Sequence, residues 1–108
     1  MLVAAPLVMM LAAAPQSADA VGMGRKAFSE CLSKQIQPAL DKKATLSDFR
    51  ASLKAKCGDK EAAFRAAIVT DDKSSGMSEK DAASDADDQI SEYVDKITGE
   101  YQDYNTGG

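Results

Sequence analysis

The sequence predicts an all-α fold: a small disulfide-stapled helical hairpin plus a third helix, arranged as an up-down-up three-helix bundle. Three observations predict it. Apolar residues recur three or four positions apart in three segments, the spacing of one helix face. No alternating apolar/polar run of strand length is present. The two cysteines, Cys31 and Cys57, fall on the apolar stripes of the first two segments. With 108 residues there is material for one small domain.

Residues 1–20, MLVAAPLVMMLAAAPQSADA, differ from all that follows. No charge occurs from Leu2 to Pro15, and the run is interrupted at Pro6 and Pro15. It is shorter than the roughly 20 apolar residues of a bilayer-spanning helix. It ends in Ala18-Asp19-Ala20, the small-x-small pattern of a signal-peptidase site, although the basic residues that usually precede such a run are missing. The expectation is a cleaved signal peptide and a product starting at Val21, exported to the periplasm or the extracellular space. No cysteine at the junction offers a lipid attachment point, so no stable membrane insertion is expected after cleavage. The remaining chain reads as one helical domain over 21–104 and a disordered tail over 105–108.

The first helix is predicted over about Gly24–Lys43, with Phe28, Leu32, Ile36 and Leu40 each four apart and Cys31 and Ala39 widening the same face. Pro38 removes a backbone donor within it and predicts a bend. Thr45 is a good N-cap for the second helix, with Asp48 completing an approximate capping box. Its stripe is Leu46, Phe49, Leu53, Cys57, Phe64 and Ile68. Gly58 could stop it, but the stripe keeps its phase from Cys57 to Phe64, which predicts one helix to about Thr70. A loop follows at Asp71-Asp72-Lys73-Ser74-Ser75-Gly76. Ser78 then caps a third helix, with Glu79 and Asp81 in its first turn to complement the helix dipole. Its apolar positions read Ala83, Ala86, Ile90, Tyr93, Val94, Ile97, Tyr101 and Tyr104.

Cysteine placement and apolar phase give one register. If the first two helices run antiparallel about a turn at 42–45, Cys31 faces Cys57, Ile36 faces Leu53, and Leu40 lies near Phe49. In an oxidising compartment two cysteines have one possible pairing. The Cys31–Cys57 bridge closes a loop of about 25 residues, worth roughly 3 kcal/mol in the chain-entropy model. A small core gains much from such a staple. Redox enzymes usually keep their two thiols two residues apart, so a catalytic redox role is not expected.

Charge is divided along the chain. From Val21 to Met77, eleven basic residues stand against seven acidic ones; from Ser78 onward, two stand against nine. An acidic third helix would pack favourably on a basic hairpin, or present its outer face to a cationic partner. The overall acidity and the lack of an aromatic-basic cluster argue against nucleic acid.

Catalytic motifs fail one by one. There is no histidine, which removes the usual general base and the commonest metal ligand. Two cysteines alone cannot complete a zinc site. A calcium loop starting at Asp85 places Ile90 sixth and Lys96 twelfth, where Gly and Glu are needed. Starting at Asp71 puts Gly76 sixth but Ala82 twelfth. No Ser is followed three residues later by Lys, and no glycine-rich phosphate loop exists. No catalytic residue, metal or cofactor is therefore expected. The expected function is a non-enzymatic interaction or structural module of the cell envelope. An unknown protein partner would meet Asp85, Asp88, Glu92 and Asp95 with Tyr101 and Tyr104. The alternative is an envelope holdase that exposes Ile90, Val94 and Ile97 on acidification.

Overall fold

The computed structural model of the chain describes residues 17–107. Four helices make up this region: α1 (Ser17–Lys34), α2 (Ile36–Asp41), α3 (Leu46–Ser74) and α4 (Glu79–Gly107). Among the described residues there is no strand. α1 and α2 together form the first arm, α3 returns antiparallel to it, and α4 runs back along α3, giving the three-arm helical bundle. The predicted leader falls outside the described residues up to residue 16. Ser17–Ala20 form the first turn of α1, so this helix begins before the predicted Gly24.

The first arm breaks at Gln35, one turn before Pro38. The proline ring crowds the carbonyl four residues upstream and offers that carbonyl no N–H, so the ladder yields in the turn preceding it. There the Gln35 N–H bonds the Leu32 carbonyl at 3.1 Å. This shift leaves the Cys31 carbonyl without its usual donor, and the Gln35 side-chain amide supplies one at 3.0 Å. The predicted bend is thus a two-segment arm.

The two inter-arm turns share one construction. α2 ends with the Ala44 N–H on the Ala39 carbonyl (2.9 Å) and the Lys43 N–H on the Leu40 carbonyl (3.0 Å). α3 ends with the Met77 N–H on the Asp72 carbonyl (3.0 Å) and the Gly76 N–H on the Lys73 carbonyl (3.0 Å). Both are Schellman closures, which need a left-handed residue just past the helix. Gly76 supplies it at φ 100° without steric cost, whereas Lys43 supplies it at φ 53°. Two residues after each left-handed position stands the cap of the next helix. Thr45 Oγ1 accepts from the Asp48 N–H, and Ser78 Oγ from the Asp81 N–H, each at 3.1 Å. Asp71–Ser74, read from composition as loop, belong to α3, because the chain does not turn until Gly76.

The cysteine sulfurs lie 2.07 Å apart with Cα atoms at 5.8 Å, which is disulfide geometry. The same register brings Gly24 onto Phe64, so closely that a Cβ at Gly24 would stand 3.1 Å from the Phe64 Cα. α3 continues through Gly58, which is exposed with open space where a Cβ would lie.

Phe28, Leu32 and Ala39 of the first arm meet Phe49, Leu53, Cys57, Phe64 and Ile68 of α3 in the core, with Cys31, Ile36, Leu40 and Leu46 half-buried at its margin. One aromatic cluster, Phe28–Phe64–Tyr93, joins α1, α3 and α4 at centroid separations of 5.8 to 6.4 Å. α4 contributes Ala86, Ile90, Ile97 and Tyr101. Its first buried residue is Ala82, not the predicted Ala83, which is exposed. Spacing of four back from Ile90 and Ala86 selects Ala82. Two adjacent alanines gave no compositional reason to prefer either. Thr98, a buried residue outside the predicted stripe, bonds the Val94 carbonyl through Oγ1 at 2.6 Å. α4 extends through Gly107, so Asn105–Gly107, read as part of a frayed tail, are helical.

Two glycine substitutions should move stability in opposite directions. Gly58→Ala, with free space around it, should raise unfolding free energy by about 0.5–1 kcal/mol. Gly24→Val should lower it by roughly 1–3 kcal/mol by forcing α1 off α3. Urea melts of the oxidised protein measure both; a neutral Gly24→Val would contradict the close approach.

Candidate functional site

The six residues predicted to meet a partner separate into four environments. Asp88, Glu92 and Asp95 are exposed on α4. At about 100° per residue they lie within about 60° of one another around the helix axis, and Asp88 lies about 180° from the buried Ile97. They form the outer ridge of the last arm. Among the described residues none of the three makes an ion pair, and Lys96 adds a positive charge beside them.

The acidic arm also meets the basic hairpin directly, at other positions. Arg65 of α3 pairs with Asp87 and also reaches Glu61 at 3.5 Å. These acidic neighbours, Asp87 first, hold its guanidinium above the ordinary arginine value despite partial burial. Lys73 bonds Glu79 at 2.7 Å across the α3–α4 turn, and this contact lowers the Glu79 carboxyl below its usual range. Part of the charge asymmetry therefore serves packing, and the ridge carries three of the remaining acids.

Asp85 is half-buried rather than presented outward. Its Oδ2 accepts from Gln89 Nε2 at 3.0 Å, and its carboxyl is the chief cause that pushes the Asp72 carboxyl of α3 up to about 6. Its position near the α3–α4 seam was not legible from α4 alone.

Tyr101 is corrected from a partner contact to a core residue. It is fully buried, its ring stacked on Phe49 at 4.2 Å. Its hydroxyl donates to the Ala44 carbonyl at 2.5 Å, with the Ala39 carbonyl at 3.3 Å. Those carbonyls belong to the closure of α2, so Tyr101 latches the last arm onto the first turn. Its predicted place on the apolar stripe already pointed inward.

Tyr104 is 57% exposed. It borders a groove of about 460 Å³ with Ser33, Ile36, Gln37, Leu40 and Glu100. It lies about 160° around α4 from Asp88, so the ridge and this tyrosine are separate surfaces. Among the described residues no group of three or more His, Cys, Asp or Glu could hold a metal ion, and no helix is long and apolar enough to cross a membrane.

Comparison with protein-family models, curated proteins and solved structures returns no match, leaving function to be read from the surface itself.

The two tyrosines should respond differently to substitution. Tyr101→Phe, which strips the donor from the Ala44 carbonyl, should cost about 1–2 kcal/mol. Tyr104→Ser should leave stability within about 0.5 kcal/mol. Thermal melts of both variants check this, and equal effects would contradict the buried latch.

Proposed function

We propose that this protein is a small, exported, non-catalytic binding module that offers the outer ridge of its last helix to a cationic protein surface. The observation that carries this reading is the ridge itself. Asp88, Glu92 and Asp95 are exposed, without ion-pair partners among the described residues, while their helix is anchored from the opposite side by Ile90, Ile97 and Tyr101. A rigid row of like charge raises association rate and selects against acidic partners more than it adds raw affinity. The absence of histidine from the whole sequence supports a binding role over acid-base catalysis.

Export is supported by the leader and by the staple. Ala18, Asp19 and Ala20 are exposed, and Val21 is the first described side chain packed against the core. Cleavage after Ala20 would leave every buried side chain among the described residues in place. A disulfide that joins two helices 26 residues apart in sequence fits a structural role in an oxidising compartment such as the periplasm or extracellular space.

The acid-released holdase finds support in the Lys73–Glu79 contact, which acid would weaken, but this pair is exposed and contributes little. Binding at neutral pH through the ridge accounts for more of the surface.

The double variant Asp88→Lys with Asp95→Lys tests the proposal. It should keep the wild-type circular dichroism and melting temperature while losing a crosslinked partner that the wild type captures in its native compartment. Capture should also fall as salt rises. Undiminished capture of the same protein by the folded double variant would overturn the ridge as the binding surface.

A further inference from the structure

The two sulfurs of the staple are sheltered unequally. Cys57 is a core residue, 1% exposed, whereas Cys31 is half-buried at the margin of the core. The Cys31 Sγ lies 3.6 Å from the Lys56 carbonyl oxygen, on an exposed edge of the α1–α3 contact. A disulfide is opened by a thiolate that attacks one of its sulfurs, and access decides which sulfur takes the adduct. On Cys57 an adduct would have to enter the packed core shared with Leu53 and Phe64, where added volume is costly. On Cys31 it finds room.

That room is a groove of about 380 Å³ between α1 and α3, lined by Met23, Gly24 and Ala27 with Lys60, Ala63 and Ala67. Ala27 stands about one helical turn before Cys31, and Lys60 about one turn after Cys57, so the groove opens beside the bridge. Lys34, Lys56 and Lys60 are all exposed and lie within a turn of the cysteines. Among the described residues none of the three makes an ion pair. Glu30 and Asp59, also exposed nearby, offset part of this charge, and three lysines against two acids leave the surroundings positive. We propose that Cys31 is a modification site, at which a small anionic thiol of the glutathione class forms a mixed disulfide and rests in the groove beside Lys60.

The step balances without an outside oxidant. The attacking thiolate sulfur bonds to Cys31 Sγ as the Cys31–Cys57 bond breaks. The electron pair of that bond leaves on Cys57 Sγ, which takes a proton from water. One disulfide has replaced another, so no net oxidation occurs. The Cys57 thiol remains in the core beside its former partner and expels the small thiol by the reverse step. Cys31 therefore carries the adduct only while the small thiol is present, and the staple returns when it is removed. The site lies on α1 and α3, apart from Asp88, Glu92 and Asp95 of α4, and does not depend on that ridge binding a partner.

Short incubation of the folded, oxidised full chain with reduced glutathione tests this, followed by acid quenching, alkylation and peptide mass mapping. Glutathione on the Cys31 peptide, with Cys57 alkylated, should exceed the reverse species by at least about tenfold. In urea, where both sulfurs are open, the two species should agree within about twofold. Lys56→Gln combined with Lys60→Gln, checked for fold by circular dichroism, should slow glutathione about two- to fivefold more than it slows cysteamine, a cationic thiol. Equal adducts on the folded protein, an excess on Cys57, or reaction only in urea would overturn Cys31 as the site. An effect of the lysine variant on both thiols alike, or on neither, would overturn the preference for an anionic thiol.

Discussion

The Cys31–Cys57 bond is the constraint on which the bundle depends. It joins α1, one turn before its C-terminal end, to the middle region of α3, so the two helices can neither slide nor rotate past one another. One turn before Cys31, Phe28 is set against Phe64; two turns before it, Gly24 lets the α1 backbone rest on the same residue. The chain-entropy benefit of such a loop, roughly 3 kcal/mol, is a large share of the 5–15 kcal/mol by which small domains are usually stable. Once this register is set, the paired arms present a continuous apolar trough made by Leu32, Phe49, Leu53, Phe64 and Ile68, and the last arm closes it.

The last arm is held differently at its two ends. Near its C-terminus Tyr101 stacks on Phe49 and donates to a carbonyl of the first turn, combining ring burial with a fixed polar contact. Near its N-terminus the packing residues are alanines, and the polar contacts are the exposed Lys73–Glu79 and Arg65–Asp87 pairs. Burial per residue falls from the aromatic end to the alanine end, and local opening is easiest where least apolar surface is covered. A partner gripping Asp88, Glu92 and Asp95 would hold the middle of this arm, between the firm end and the soft one.

Much of the hairpin was legible because two unrelated signals coincided. Cysteine position and apolar phase each demanded the same facing of residues, and the bridge and buried stripe of α3 follow it. Phase across Gly58 correctly outweighed the glycine, since a helix with a buried stripe on both sides tolerates one flexible residue. What was not legible depends on neighbours in space. The effect of Pro38 appears at Gln35 because the ring acts on a carbonyl one turn away. Ala82 and Ala83 differ only in which faces α3. Tyr101 carried the signals of a core residue and an aromatic anchor together, and the Phe49 ring beneath it with the Ala44 carbonyl above it decide between them. Asp72 and Asp85 belong to different helices and look like ordinary solvated acids until the third arm is placed.

The staple and its register are tested most directly by alkylating the purified natural product under denaturing, non-reducing conditions, then digesting and weighing its peptides. The account requires both cysteines to escape the reagent and one linked species to carry the peptides of Cys31 and Cys57. Two alkylated thiols, or a linkage to a second chain, would contradict it and remove the constraint that aligns the first two arms.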